Sequence, residues 1–233
     1  MKKNILFLFF IVTWVMLFGF IVSSGKEKDK KTVFTSEMML LPEPKYDSQI
    51  SIEKALLKRR SIRNYRNEPL TLKDVSQILW AAQGITHQKR FRTAPSAGAL
   101  YPLEVYLVAG NVNGIPKGVY KYKPSGHRLV RVSKGDKREA LSVAALNQMC
   151  IKEAPIDIVF SAVYKRTTKK YGKRGIRYVY MEVGHAAQNV YLEAVSLNLG
   201  TVTIGAFYDD IVKKVLNMPR EEHPLYIMPV GRK

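Results

Sequence analysis

The sequence predicts one α+β domain set behind an apolar N-terminal segment. Strand-like runs at 104–109, 118–122 and 128–132 follow one another without a helix between them. Helical patterns gather at the two ends of the domain, so strand and helix do not alternate as in a doubly wound sheet. Apolar residues make up 46% of the 233 residues, which supports one full-sized core and argues against disorder.

The elements follow in order. Lys2 and Lys3 precede residues 5–22, in which Thr13 is the one polar residue. The length of this run suits a transmembrane anchor, while Val22-Ser23-Ser24 offers a signal-peptide cleavage site, so residues 1–25 are read as one or the other. Either reading makes the protein membrane-associated or exported. Lysines flank both sides and leave the orientation open. Residues 26–47 are charged, carry Pro42 and Pro44, and read as a linker to a domain over 48–233. Ile52, Ala55 and Leu56 have helical spacing. Thr71 and Asp74 mark a helix start. Leu72, Val75, Ile78, Leu79 and Ala82 then share a face, and Gly84 closes the helix. Gly135-Asp136 opens another helix reaching Ala145, and residues 155–160 read as a buried strand. The longest helix is expected over 178–199, capped by Gly200. Its Gly184, Ala186 and Ala187 allow close approach of another helix, in the core or across a subunit interface. A short strand (201–204), a helix (209–216) and a last strand (225–230) complete the chain.

The formal net charge is +19. Such a charge suits nucleic acid, an anionic membrane or an acidic ligand. The densest patch is Lys165, Arg166, Lys169, Lys170, Lys173, Arg174 and Arg177, interleaved with Tyr164, Tyr171 and Tyr178. No nucleic-acid motif accompanies it, so it reads as a solvated basic loop. The single Cys150 excludes an intrachain disulfide and a cysteine-rich metal site, and reads as a buried structural thiol. Glu182 and His185 form one Glu-x-x-His, read as a satisfied core pair because a di-iron site needs two. His87, His127 and His223 lack metal-ligand spacing, so no metal is expected.

Two segments carry chemistry. Arg59-Arg60-Ser61-Ile62-Arg63 ends a helix and opens an extended stretch. Its cations and hydroxyl suit a phosphate, or simply complement a helix C-terminus. Arg232-Lys233 offers further cations, or a frayed tail. Thr93-Ala94-Pro95-Ser96-Ala97-Gly98-Ala99-Leu100-Tyr101-Pro102 is a small-residue loop between prolines, a surface on which something flat could lie.

Together with Ile78 to Gly84, Gly118-Val119-Tyr120, Gly184 to Asn189, Ile204 to Phe207 and Pro224-Leu225-Tyr226, these segments resemble the FMN-dependent nitroreductase superfamily, in particular its SagB/ThcOx-type dehydrogenase branch. The resemblance runs from about Ser51 to Arg232. It implies a nitroreductase-like fold with a central, mainly antiparallel sheet flanked by helices, and a homodimer with FMN at the interface. It implies that Arg59, Ser61 and Arg63 hold the FMN phosphate, with Arg60 alongside and Arg232 joining from the C-terminus. The backbone of Pro95, Ser96, Ala97 and Gly98 would face the isoalloxazine. Ile204 and Gly205 would bring N–H groups near flavin N5, and Asn147 or Gln148 would reach the cofactor. Lys170-Tyr171 matches a pair thought to move a proton in azoline-oxidising relatives. The implied activity is hydride transfer between flavin and a small-molecule or modified-peptide substrate. Alternatives are an NAD(P)H-dependent nitro or quinone reductase, and a non-enzymatic basic membrane-surface module on the same fold.

Overall fold

The computed structural model describes residues 38–233. Its strands are β1 (Met38–Leu40), β2 (Leu70–Thr71), β3 (Leu103–Ala109), β4 (Val112–Asn113), β5 (Gly118–Lys123), β6 (Arg128–Lys134), β7 (Ile156–Ala162), β8 (Leu199–Thr201) and β9 (His223–Arg232). Its helices are α1 (Ile52–Lys58), α2 (Leu72–Gln83), α3 (Arg138–Ala144), α4 (Met149–Glu153), α5 (Lys165–Tyr171), α6 (Arg174–Ser196) and α7 (Asp209–Val215). Seven strands form one sheet in the order β1-β6-β5-β3-β7-β9-β8, and each pair is antiparallel. Short β2 and β4 pair in parallel apart from it. The expected α+β class and antiparallel sheet are both present.

The sheet is covered on both faces, which explains why its central strands read as continuous apolar runs. Val105, Leu107 and Ala109 of β3 pack toward α2 and α6, whereas Tyr106 and Val108 face the side of α3, α4 and α7. β7 alternates in the same way, with Ile158 and Phe160 on the first face and Val159 on the second. Cys150 of α4 is buried on that second side, as expected of a structural thiol.

Four local expectations are corrected. Residues 38–47 are not a linker. Met39 and Leu41 enter the core, β1 pairs with β6, and Leu41 N donates to His127 O at 3.0 Å. The prolines end this strand rather than loosening it, and Pro42 O accepts from Ser76 Oγ of α2. The N-terminal hydrophobic helix and residues 26–37 lie outside the described residues. Among the described residues no helix is long and apolar enough to cross a membrane.

Gly200 does not cap α6. The helix ends at Ser196, Asn198 takes the left-handed turn at φ 55°, and Gly200 sits within β8. Asparagine tolerates that conformation because its short polar side chain bonds locally. The small residues of α6 divide: Ala186 and Ala187 are buried, while Gly184 faces open space. The basic patch is not a loop. It forms α5 and the first turns of α6, joined at Gly172 (φ 57°), with Gly175 packed on the Thr167-Thr168 backbone. Finally, Glu182 and His185 are not a pair: Glu182 is buried, and His185 is exposed.

α2 forms as its sequence dictates. Thr71 Oγ1 accepts from Asp74 N at 3.1 Å, and Asp74 Oδ2 accepts from Thr71 N at 2.9 Å, the reciprocal bonds of a capping box.

Candidate active site

The phosphate-type cluster is held by the end of the sheet. Ser51 caps α1, accepting from Lys54 N at 3.2 Å, and the chain leaves the helix at Arg59 with ψ 128°. Ser61 then bridges Thr201 in parallel, and Ile62 N donates to Thr201 O at 2.9 Å. Gly200 makes this docking possible. A Cβ there would meet Ile62 Cγ2 at 2.6 Å.

Ser61 thereby reaches α6. Its Oγ lies 3.1 Å from Tyr191 Oη, which accepts from Thr203 N at 2.9 Å and lies 3.3 Å from Thr203 Oγ1. The Arg59 guanidinium stands over the Tyr191 ring at 5.2 Å, a cation–π distance. Burial pushes the Tyr191 phenol up, but the bonds from Ser61 and Thr203 and the nearby Arg59 charge leave it below the usual range. Arg63 is exposed. Arg60 folds back, with Nη1 donating to the Leu57 and Arg59 carbonyls at 3.0 and 2.6 Å. With Lys58, Lys233, Tyr191 and Thr201, Arg60 lines a groove of about 130 Å³.

Arg232 departs from expectation. Its Nη2 donates to Asp74 Oδ2 at 2.7 Å, so this guanidinium is committed to the capping box of α2. The adjacent residue on the extended chain points the other way, and Lys233 is the C-terminal cation in the groove. Arg59 and Ser61, expected from the sequence, lie together at Tyr191, while Lys58, Tyr191 and Thr203 were not anticipated. Tyr191 left one signal: a phenol on an otherwise apolar helix face needs a partner when buried.

Thr203 leads directly into the next wall. Ile204 exchanges backbone bonds with Ile227 at 2.8 and 3.0 Å, so its N–H is occupied and cannot serve the expected role. Gly205 is exposed, its N–H is free among the described bonds, and a Cβ there would sit 3.6 Å from the Tyr226 ring. Gln148 Nε2 donates to Ala145 O at 3.0 Å and to Ala206 O at 3.2 Å, which brings it to this wall. Asn147 is exposed at φ 59°, so of the two amides Gln148 is the one placed here.

The proline-bounded loop is tightly folded. Ser96 Oγ accepts from Tyr101 N at 2.9 Å across a single 3₁₀ turn over Ala97–Ala99. Gly98, Ala99 and Tyr101 have φ of 63°, 52° and 46°. A Cβ on Gly98 would meet Tyr171 Oη at 2.8 Å and Lys170 Nζ at 3.1 Å. The structure thus lays the Lys170-Tyr171 pair against the loop, with Tyr171 set edge-on to Tyr178 at 5.1 Å. α6 supports the loop from below. Asn189 Nδ2 donates to Thr93 O at 3.1 Å. Glu182 is 2% exposed, and its Oε1 has no partner. Burial raises its carboxyl to about 7, against the opposing pull of the Ser96 hydroxyl and Arg92. Among the described residues no group of three candidate ligands could hold a metal ion.

The antiparallel sheet thus carries a cationic cluster and a small-residue loop. The sequence matches the nitroreductase family over residues 56–232, and the chain belongs to that family of oxidoreductases. MJ1384 of Methanocaldococcus jannaschii, named as a nitroreductase, is 53% identical over 185 residues, covering 79% of this chain and 92% of its own. A crystal structure from Ralstonia eutropha, titled as a nitroreductase, superposes with a TM-score of 0.75 at 30% identity, over 86% of this chain and 92% of that one. McbC of Escherichia coli, a microcin B17-processing protein, is 29% identical over 146 residues, 60% of this chain and 54% of its own, so the match spans about half of that relative.

Proposed function

We propose that this oxidoreductase binds FMN and, in the manner of the SagB/ThcOx-type dehydrogenases, oxidises an azoline ring in a modified peptide. The observation that carries this reading is the placement of Lys170 Nζ and Tyr171 Oη against Gly98. It joins the two segments that the resemblance linked to chemistry and to flavin contact. The similarity to McbC supports the same substrate class.

The residues fit FMN. Arg59, Ser61 and Arg63, with the Lys58, Arg60 and Lys233 groove beside them, form a donor set for a phosphate monoester. Gly98 lacks the Cβ that would collide with Tyr171 Oη and Lys170 Nζ, so the pair closes on the loop, and Gly205 offers an open N–H. FMN, when bound, supplies the hydride acceptor. The chain does the rest. Arg59 and Ser61 would grip the phosphate, with Tyr191 and Thr203 holding Ser61 in place. Gln148 steadies the Ile204–Ala206 wall. Tyr171 Oη or Lys170 Nζ receives the proton lost from the ring carbon.

The proposed enzyme is a homodimer with FMN at the interface. Exposed Leu57 of α1 and Tyr180 and Met181 of α6 offer apolar surface for it. We place the domain at a membrane, or outside it, through residues 1–25.

The test uses full-length protein with FMN bound, mixed anaerobically with a thiazoline-containing peptide. The flavin band at about 450 nm should bleach. Lys170→Ala should slow bleaching about a hundredfold while FMN stays bound, the loss typical of a missing general base. A second reading, an NAD(P)H-dependent nitro or quinone reductase, is favoured by the 53% identity to MJ1384. Bleaching by NADPH but not by the peptide would select that reading and end ours.

A further inference from the structure

At the Tyr101 end of the loop lies a second cationic concavity, built from residues outside the Arg59–Ser61 cluster. Its volume is about 260 Å³, and Arg90, Arg92, Lys123, Arg128 and Arg166 line it against a single acid, Glu104. Three pieces of chain converge to make it. The turn between β5 and β6 brings Lys123 and Arg128. The segment after α2 brings Arg90 and Arg92. Arg166 reaches in from α5.

Glu104 answers only the Arg166 part of this ring. It is already paired with Arg166 and with Lys121, and Lys121 also pairs with buried Glu222. Arg90, Lys123 and Arg128 have no acidic partner among the described ion pairs. Burial pushes the Arg92 guanidinium below its usual range, although Glu104, Glu182 and Tyr101 pull it back, the direction shown by a cation short of countercharge.

Two buried donors also lack acceptors. Gln83 is 1% exposed. Its Oε1 accepts from Arg92 Nη1 at 2.8 Å, which fixes the amide, and its Nε2 is left without a partner. Arg128 Nε is buried and unpartnered as well. Both residues line the cleft, so an acceptor bound there would lie beside donors that no protein group satisfies.

We propose that this cleft is a binding site for a phosphate or diphosphate group of a small molecule. Guanidinium forks and an amide N–H match tetrahedral phosphate oxygens, and one carboxylate would leave most of the excess charge unanswered. The volume lies below that of a pocket enclosing a whole drug-sized ligand, so the cleft takes the charged end alone. An occupant also bears on the loop. The Arg92 guanidinium lies 4.4 Å over the Tyr101 ring, and Arg166 Nη1 donates to Tyr101 O at 3.0 Å. Binding here steadies the cations that hold Tyr101 and, through Arg166, the helix that carries Lys170. The site stands independently of the azoline reading and of the flavin.

The test is calorimetry on the full-length protein saturated with FMN, at fixed ionic strength, with pyrophosphate, inorganic phosphate or adenosine diphosphate ribose as titrant. Wild type should bind one pyrophosphate. Arg90→Gln with Lys123→Gln, neither of which makes a described side-chain bond, should weaken it at least tenfold with thermal unfolding unchanged. Arg128→Gln should do likewise, and Arg59→Ala with Arg63→Ala should leave it intact. Tighter binding of adenosine diphosphate ribose would identify a nucleotide as the source, whereas equal or weaker binding would identify the free anion. Absence of binding by wild type, binding indifferent to the cleft variants, or binding lost with Arg59 and Arg63 would overturn the proposal.

Discussion

Two carboxyls set the acid–base behaviour of the fold. Glu182 is raised from 4.5 to about 7, chiefly by burial. Asp157 of β7 is fully buried with neither oxygen partnered, and burial raises it well above 3.8 despite Arg138 nearby. A carboxyl whose folded pKa is raised costs nothing below its unfolded value, where both states are protonated. Its destabilising effect grows as pH rises toward the folded value. Glu182 therefore weakens the fold increasingly up to about pH 7, and Asp157 weakens it as pH rises above its usual value. Glu182→Gln should flatten that part of the stability curve by on the order of 3 kcal/mol, read by denaturant unfolding across pH. Asp157→Asn should flatten it too, and an unchanged slope would show that the carboxyl is not desolvated. Asp136 works in the opposite direction. Hydrogen bonds from Arg138 hold it near 2, so its contribution is present above its unfolded value and lost only as pH falls toward 2. At this scale the sequence was partly legible. Ser61 and Arg59 stand out because three arginines and a hydroxyl crowd into five residues where a helix ends. Tyr191 and Thr203 do not, because their roles exist only once α6 lies against β8.

Among the elements, α2 couples its own stability to the chain end. Asp74 serves two partners, the Thr71 backbone and Arg232. Thr71→Ala should cost about 1 kcal/mol, as for a lost N-cap. Asp74→Ala should cost more, since the half-buried Arg232 loses its carboxylate as well; equal losses in thermal unfolding would mean that the ion pair contributes nothing. The long helix and the central strands were legible because apolar residues dominate them. β1 was hidden by the charges and prolines around it, and what makes it a strand is the partner edge of β6. α5 was hidden because it has no apolar stripe; packing of Thr167 and Gly175 fixes it as a helix.

For the molecule as a whole, the exposed apolar residues of α1 and α6 bear on the proposed dimer. Met181→Glu on the open face of α6 should shift sedimentation toward monomer and weaken FMN retention together. Monomeric wild type with FMN bound would exclude an interface site. The connection between Ser61 and Tyr191, 130 positions apart in the chain, has a consequence for biogenesis. Ser61 emerges from the ribosome well before α6 and β8, which set its position. Until those elements are made, a nascent chain holds the Arg59–Arg63 segment without its seat. On the proposed reading, cofactor capture waits for α6 and β8, and a polypeptide stalled before Leu199 would retain no FMN.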